Sequence, residues 1–546
     1  VPAGADATPP VETAGVRDRA PIGAQRQRVV AALLLCIAAL PMGLALLALA
    51  AAWFDPQPEL WQHLLQHVIG AALRDTAVLV VAVAVLSTLL GSALAALVVL
   101  AEFPARRWLE IGLMLPLALP AYVLAFVYVA SIDAGSPLRA LASALTGSSA
   151  WLPSIRNPAG AALVLTLACY PYAYLLVRAA LLRQGRTLYE AARALGHGPR
   201  AALARAVLPA LRPALAAGFA LAALEALADF GAVAVLGVDT LSVAIYKAWY
   251  GLGSLALAAQ LAGCVLLVAV ALSVIERRAR GRAAHAAQGS APFEPERLQS
   301  WRALGASAFA SGVLLLGFVL PVCLLAYWSF GAELRLARLG DAAWRTLLLA
   351  GGGTVLIVAL GAALATVRRT RGTGAPVPIA AELAQAGYAV PGTVLAVALM
   401  LPLIAIERSA GLGSALSSGA IGVWLALVAR FLRVGAQSID AGLAQVRPSL
   451  VDAARTLGAG PLARVRSLYL PLLRPALGAG ILLAFVECAK ELPATLMLRP
   501  IGWDTLAILI YNSTSEGLWR EAAAPALLLV VLGLVPALAL LRRPPP

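Results

Sequence analysis

The chain has 546 residues, 61% of them hydrophobic and only 13% charged, with a mean hydropathy of +0.86. A soluble domain carries about 25% charged residues, so this composition excludes an ordinary soluble protein and points to many membrane spans. The net charge of +15 comes almost wholly from arginine, Lys247 and Lys490 being the only lysines; it fits the basic bias of cytoplasmic loops better than nucleic-acid binding.

Residues 1–28 are polar, with several prolines and arginines. They lack the charge, short apolar core and cleavage site of a secretory signal, and are expected to form a cytoplasmic tail. Twelve spanning helices are expected. The first six lie near 29–53, 76–101, 111–130, 159–181, 213–237 and 253–275. The others lie near 304–329, 345–367, 380–405, 415–436, 475–499 and 522–541. A cytoplasmic N-terminus puts Arg106–Arg107, Arg183–Arg212, Glu276–Arg302, Arg368–Arg371, Arg430–Arg474 and Arg542–Arg543 on one side. The opposite loops, 54–73, 131–158 and 238–252, carry few basic residues, so both chain ends are expected in the cytoplasm. The polar stretch 276–303 reads as a linker between a first half, 29–275, and a second half, 304–541, with 542–546 as a short tail.

The five cysteines (Cys36, Cys169, Cys264, Cys323, Cys488) are isolated within apolar runs and read as packing residues. His63 and His67 share one helical face but lack a third ligand type nearby, so a surface helix is the simpler expectation. Pro120 and Pro391 are repeat-related, and each can kink a span. Tyr246 and Tyr511 are matched too, with interfacial anchoring as the plain explanation.

The halves repeat one another. Tyr189–Pro213 reads YEAARALGHGPRAALARAVLPALRP and Val451–Pro475 reads VDAARTLGAGPLARVRSLYLPLLRP, with 262 residues separating Glu190 from Asp452. The same offset carries Ala191, Ala192 and Arg193 to Ala453, Ala454 and Arg455, and Gly196 to Gly458. It also carries Pro199, Pro209 and Pro213 to Pro461, Pro471 and Pro475. Thr187-x-x-Glu190 and Ser449-x-x-Asp452 have the form of capping boxes that start a helix. Leu188, Ala191, Ala192 and Leu195 make an apolar stripe, repeated by Leu450, Ala453, Ala454 and Leu457. Gly196 and Gly458 stand where a left-handed residue ends a helix, and Pro199 and Pro461 suit the next first turn. Pro209 and Pro213, with their partners, are expected to break the chain before it enters the membrane. His197, replaced by Ala459 in the second copy, is expected to be solvent-exposed or at a partner contact.

At these residues, in loops 187–213 and 449–475, the chain resembles the EAA-loop family, the permease subunits of binding-protein-dependent ABC importers, over roughly residues 30–541. The resemblance implies an all-α polytopic membrane protein with the type I importer permease fold. It implies two homologous, parallel six-helix halves about an axis normal to the bilayer. It further implies that Glu190, Ala191, Ala192, Arg193 and Gly196, and Asp452, Ala453, Ala454, Arg455 and Gly458, couple to two ABC ATPase subunits. A periplasmic solute-binding protein is the implied external partner, and the bacterial inner membrane the implied location. Asp452 departs from the family's glutamate but keeps its charge. The chain has no G-x-x-x-x-G-K-[ST] segment, so ATP and magnesium are expected on the partner subunits, with no cofactor in this chain and no enzyme activity of its own. A secondary transporter with parallel halves is the main rival, and the paired loops argue against it.

Glu225 and Asp229, and at the same offset Glu487 and Glu491, lie with Lys490 inside apolar runs. Charge at the bilayer centre costs about 2.5–3.5 kcal/mol on insertion scales, so these five are candidates for a translocation pathway, the alternative being mutual pairing that pins two helices. Glu491 is expected near the outer interface. Ala228–Gly237, Asp239–Tyr246, Lys490–Pro500 and Asp504–Tyr511 resemble the fused ferric-iron-type permeases, which implies ferric ion as cargo. Carboxylate suits such a hard cation, although related fused permeases carry thiamine, phosphonates or other small solutes. No firm metal site is assigned.

Overall fold

A computed structural model describes residues 22–541 apart from 134, 282–292, 331–335 and 371–375. Most of the expected N-terminal tail, the centre of the linker and the C-terminal tail lie outside the described residues. The first half runs through α1 (Ile22–Ala51), α2 (Pro58–His67) and α3 (Ile69–Leu100), then a two-residue strand β1 (Ala101–Glu102). It continues through α4 (Arg106–Gly112), α5 (Ala121–Ile132), α6 (Pro137–Thr146), α7 (Pro158–Ala180), α8 (Arg186–Ala194), α9 (Pro199–Ala202), α10 (Leu208–Ala228), α11 (Gly231–Val235), α12 (Leu241–Tyr250) and α13 (Leu255–Gly281). After strand β2 (Glu296–Arg297) the second half has α14 (Ser300–Leu314), α15 (Leu320–Phe330), α16 (Leu336–Thr370), α17 (Pro376–Ala386) and α18 (Gly392–Ala410). It ends with α19 (Ala420–Ala444), α20 (Pro448–Thr456), α21 (Pro461–Arg464), α22 (Leu470–Lys490), α23 (Pro493–Leu498), α24 (Leu506–Ser515) and α25 (Trp519–Leu541).

Among the described residues, 11 helical segments are long and apolar enough to cross a membrane. The remaining expected span, 522–541, falls in α25, a 23-residue helix whose last side chains lie outside the described residues. Lipid offers no hydrogen bonds to backbone, so helix is the form these apolar runs must take. The opening helix of each half packs on the other half. On α1, Leu35 meets Leu364, Ala381 and Ala436, while Ala38 and Ala39 meet Ala384 and Leu432. On α14, Ala306, Ala310 and Val313 join Leu94, Val98 and Tyr174. Beyond α14, the Tyr128 hydroxyl donates to the Leu316 carbonyl at 2.8 Å.

Four expected spans are broken. The expected helix 111–130 stops and restarts at Pro120, and 380–405 restarts at Pro391; both prolines are extended (ψ 141° and 144°) and stand just before a new helix. The repeat-related prolines therefore mark full breaks. The expected helices 213–237 and 475–499 break after Ala228 and Lys490, and each resumes as a short helix. The supposed external loop 238–252 is mostly α12, which is pinned to α3: Thr76 Oγ1 donates to Ala72 O at 2.6 Å and accepts from Leu241 N at 2.9 Å. The second half repeats this pin with Thr346, Ala342 and Leu506.

Two local expectations fail. Neither capping box starts its helix: α8 begins at Arg186 and α20 at Pro448, each without a side-chain cap. Thr187 and Ser449 thus lie inside their helices. Nor do Pro209 and Pro213 break the chain, which stays helical from Pro199 to Ala228. A π turn at Leu203–Val207, matched by Val465–Tyr469, widens the helix just ahead of each proline pair and absorbs the missing N–H.

Close helix crossings rest on small residues. A Cβ on Gly91 of α3 would lie 2.5 Å from the Tyr170 carbonyl of α7, and one on Gly361 of α16 would lie 2.9 Å from the Ala436 amide of α19. These glycines are 270 residues apart, the same separation as Thr76 and Thr346. Gly91→Ala or Gly361→Ala should destabilise the protein by about 1–3 kcal/mol through overpacking. Thermal unfolding in detergent will show it, with Gly305→Ala, where nothing lies within 4 Å, as the unaffected control.

Candidate functional site

The four breaks meet. A cavity of about 120 Å³ between the halves is lined by Pro120 and Tyr122 at the first break, Asp229 and Gly231 at the second, and Glu491 and Pro493 at the last. Glu225, Tyr172, Glu487, Lys490 and Arg430 complete its polar wall. Gly392, which opens α18, has no room for a side chain: a Cβ there would run into the Arg430 guanidinium and lie 2.6 Å from Glu491 Oε1. Gly231 is equally confined, 2.8 Å from Tyr122 Cβ and 2.9 Å from Leu492 Cδ2 at its notional Cβ. The volume suits several waters or one partly hydrated small ion.

The carboxylates differ in their work. Asp229 leaves α10 in an extended conformation and caps α11, its Oδ1 accepting from Ala232 N at 2.9 Å and Val233 N at 3.1 Å. Glu491 does the same for α23, accepting from Ala494 N, Thr495 N and Thr495 Oγ1, each at 2.9 Å. Its side chain is only 1% exposed, so it lies inside the protein. Burial without compensation would be costly, and Arg430 supplies the countercharge at 3.1 Å. Glu225 and Glu487 sit one helical turn earlier. Glu487 is paired with Lys490 at 2.8 Å, and Glu225 shares the cavity wall with Tyr172.

Arg430 was not anticipated. The sequence pattern assigns it to a cytoplasmic loop, but α19 runs on to Ala444 and places Arg430 well inside the span. The signal was present: Arg430 already falls within the expected span 415–436, with Arg433 three residues on, and should have been weighed like the other intramembrane charges. At the repeat offset Arg430 corresponds to Ala168 and Lys490 to Ala228, both also lining the cavity. The acids are therefore duplicated between the halves while both basic groups belong to the second, leaving four carboxylates against two cations.

Tyr246 and Tyr511 are not simple interfacial anchors. Their rings meet Phe230, at centroid distances of 5.0 and 5.6 Å, so one aromatic cluster joins the halves at the break. His63 and His67 stack at 4.9 Å on α2, with His67 Nδ1 3.1 Å from the His63 carbonyl. Among the described residues no three His, Cys, Asp or Glu side chains are placed to hold a metal ion.

The two EAA segments share one geometry. Gly196 (φ +86°) and Gly458 (φ +78°) end their helices in the left-handed region. Gly196 N donates to Arg193 O at 3.0 Å and His197 N to Ala192 O at 3.1 Å; Gly458 N and Ala459 N repeat this with Arg455 O and Ala454 O, each at 3.0 Å. The expected apolar stripe divides. Ala192 is buried, whereas Ala191, Leu195 (81% exposed), Ala453 and Leu457 (87% exposed) face outward. Glu190 pairs backward with Arg186 at 2.6 Å, Asp452 forward with Arg455 at 3.2 Å. His197 is half-buried, and its carbonyl accepts from Arg193 at 2.9 Å.

Arg430→Met would leave Glu491 buried and uncompensated, a loss of about 3–5 kcal/mol. Arg430→Met combined with Glu491→Gln should recover most of that loss in the same thermal measurement, because the stranded charge is gone.

The family model for the binding-protein-dependent transport system inner membrane component matches the chain twice, at residues 87–281 and 357–543. The chain is 27% identical over 475 residues to the Fe(3+)-transport system permease protein FbpB 2 of Haemophilus influenzae, covering 85% of this chain and 88% of that one. It is 26% identical over 490 residues to the putative ferric transport system permease protein FbpB 1 of the same organism, covering 84% and 74%. A shorter match, 34% over 116 residues and 21% and 44% of the two chains, joins it to the putative 2-aminoethylphosphonate permease PhnV of Salmonella typhimurium. With two family matches in one polypeptide, the chain belongs to the binding-protein-dependent inner membrane transport components, as a fused ABC importer permease and a transport subunit rather than an enzyme.

Proposed function

We propose that this permease carries ferric ion, delivered by a periplasmic binding protein, into the cytoplasm of a bacterium, with both chain ends on the cytoplasmic side. The observation that supports this reading best is the acidic cavity at the joint of the halves, four carboxylates against two basic groups. Two relatives matched over most of their length are named as ferric permeases, whereas the phosphonate match covers a fifth of the chain. A pathway must bind its ion weakly enough to release it, and carboxylates that do not converge as a three-ligand metal site suit passage better than storage. Glu225 and Glu487 are the acids not committed as helix caps, unlike Asp229 and Glu491, and are the groups that meet cargo. Lys490 holds Glu487 when no cargo is present and yields it to an arriving cation.

The drive comes from two ABC ATPase subunits, which bind ATP and magnesium. One seats on Glu190, Ala191, Ala192, Arg193 and Gly196, the other on Asp452, Ala453, Ala454, Arg455 and Gly458. The outward-facing Leu195 and Leu457 supply the apolar contact such a groove would bury, at roughly 25 cal/mol per Å². After its glycine turn, each segment continues as helix into α10 or α22, which end at the cavity. Drawing the segments together therefore moves the helices that carry Glu225 and Glu487. The short helices α11–α12 and α23–α24 lie beyond the breaks, where the chain can bend.

Gly196→Asp or Gly458→Asp forces a side chain into a left-handed conformation at the seat. Each should cut ATP-driven iron uptake tenfold or more in proteoliposomes, with the permease still inserted and less ATPase co-purifying. Glu225→Gln with Glu487→Gln should lower uptake at least fivefold while ATPase co-purification stays at the wild-type level. Unchanged uptake in that double variant would remove the cavity from the pathway.

A further inference from the structure

Where it is described, the segment joining the halves is not a free tether. Phe293 rests on Gly185, where any Cβ would collide with its ring, and packs against Tyr189 at a centroid distance of 5.8 Å. Arg186 bridges Glu190 at 2.6 Å and Glu294 at 3.2 Å. Three residues on, β2 pairs in parallel with β1, and Leu298 N donates to Glu102 O at 3.0 Å. Phe293 and Leu298 join the same apolar cluster as Leu188 and Tyr189 of α8. The chain then enters α14 at Ser300, and α14 belongs to the other half.

Among the described residues the second half does not repeat the receiving surface. At the same offset Gly185, Arg186 and Tyr189 become Arg447, Pro448 and Val451. Pro448 holds Arg447 extended (ψ 135°), so the helix is interrupted where the first half runs through a π turn at Leu181–Gly185. Among the described residues the notch that receives Phe293 has no counterpart, because Arg447 stands where Gly185 does.

We propose that residues 293–298 are a coupling strap, which carries movement of the first EAA segment directly into α14 of the second half. The inference rests on the reading of α8 as an ATPase seat. Phe293 is the principal positioning residue, because its ring is keyed into a notch that tolerates no side chain. The exposed Glu294–Arg186 pair adds little holding force of its own. From Phe293 to Ser300 the chain spans at most about 25 Å when extended, so displacement of α8 reaches α14 with little slack. The strap makes the two ATPase seats unequal: the first is tied to α14, which packs on the first half and runs on through α15 to α25 of the second, and no such tie is described at the second seat.

The test uses the full chain with its ATPase in nanodiscs, all five native cysteines replaced, and spin labels at Leu304→Cys on α14 and Thr366→Cys on α16. In the otherwise wild-type protein, addition of ATP, magnesium and vanadate should change the label separation by several ångströms. Phe293→Ala should reduce that change by at least half with the ATPase still bound, and Phe293→Leu should keep most of it. Gly185→Ala, which favours helix but fills the notch, should act like Phe293→Ala. A full change in both Phe293→Ala and Gly185→Ala overturns the strap, as does loss of the ATPase from either variant or no change in the parent protein. Failure of the seat reading itself shows differently, as ATPase binding that ignores Gly196→Asp.

Discussion

A polypeptide inside a bilayer must satisfy every backbone N–H and C=O from within, yet this one interrupts four of its crossings beside one cavity. The interruptions are tolerable because polar side chains stand in for the missing helical partners. Asp229 and Glu491 each close one helix and cap the next, and Arg430 neutralises the more buried of the two. The surroundings depend on that arrangement. Gly231 and Gly392 must lack side chains for the broken ends to meet, and Phe230 gathers Tyr246 and Tyr511 over the joint.

The same constraint sorts the intramembrane acids. A carboxylate that accepts two or three hydrogen bonds from a helix start is not easily spared for cargo. Glu225 and Glu487, one turn earlier, carry no such obligation. The repeat carries both pairs of acids, but both cations stand in the second half, opposite Ala168 and Ala228 of the first. A pseudo-symmetric frame thus encloses an electrostatically lopsided cavity, and among the described residues the contact of Phe293 with Gly185 sets the two EAA segments apart as well.

Much of this was legible beforehand. Spans, halves and matched loops follow from hydropathy and the 262-residue repeat, because burial in lipid writes itself into composition. The left-handed glycines at 196 and 458 were readable because only a helix end needs them there. Other inferences failed for identifiable reasons. Thr187-x-x-Glu190 has the form of a cap, but α7 passes into α8 without ending, so no free amides await one. Pro209 and Pro213 look like breakers, yet a π turn accommodates them. Arg430 was counted among loop arginines because charge bias is a statistical rule with no knowledge of a buried acceptor.

The sequence alone determined that the chain lives in a membrane, that it consists of two parallel halves, and that each presents one helix–glycine–proline lever. These are local properties, set by side-chain hydropathy and by the backbone preferences of single residues. Tertiary structure alone decided which acids became caps, which arginine came to countercharge Glu491, and that residues 293–298 lie against the first EAA segment. Those outcomes depend on groups dozens to hundreds of positions apart, as with Arg430 and Glu491 or Gly185 and Phe293, which nothing but packing brings together.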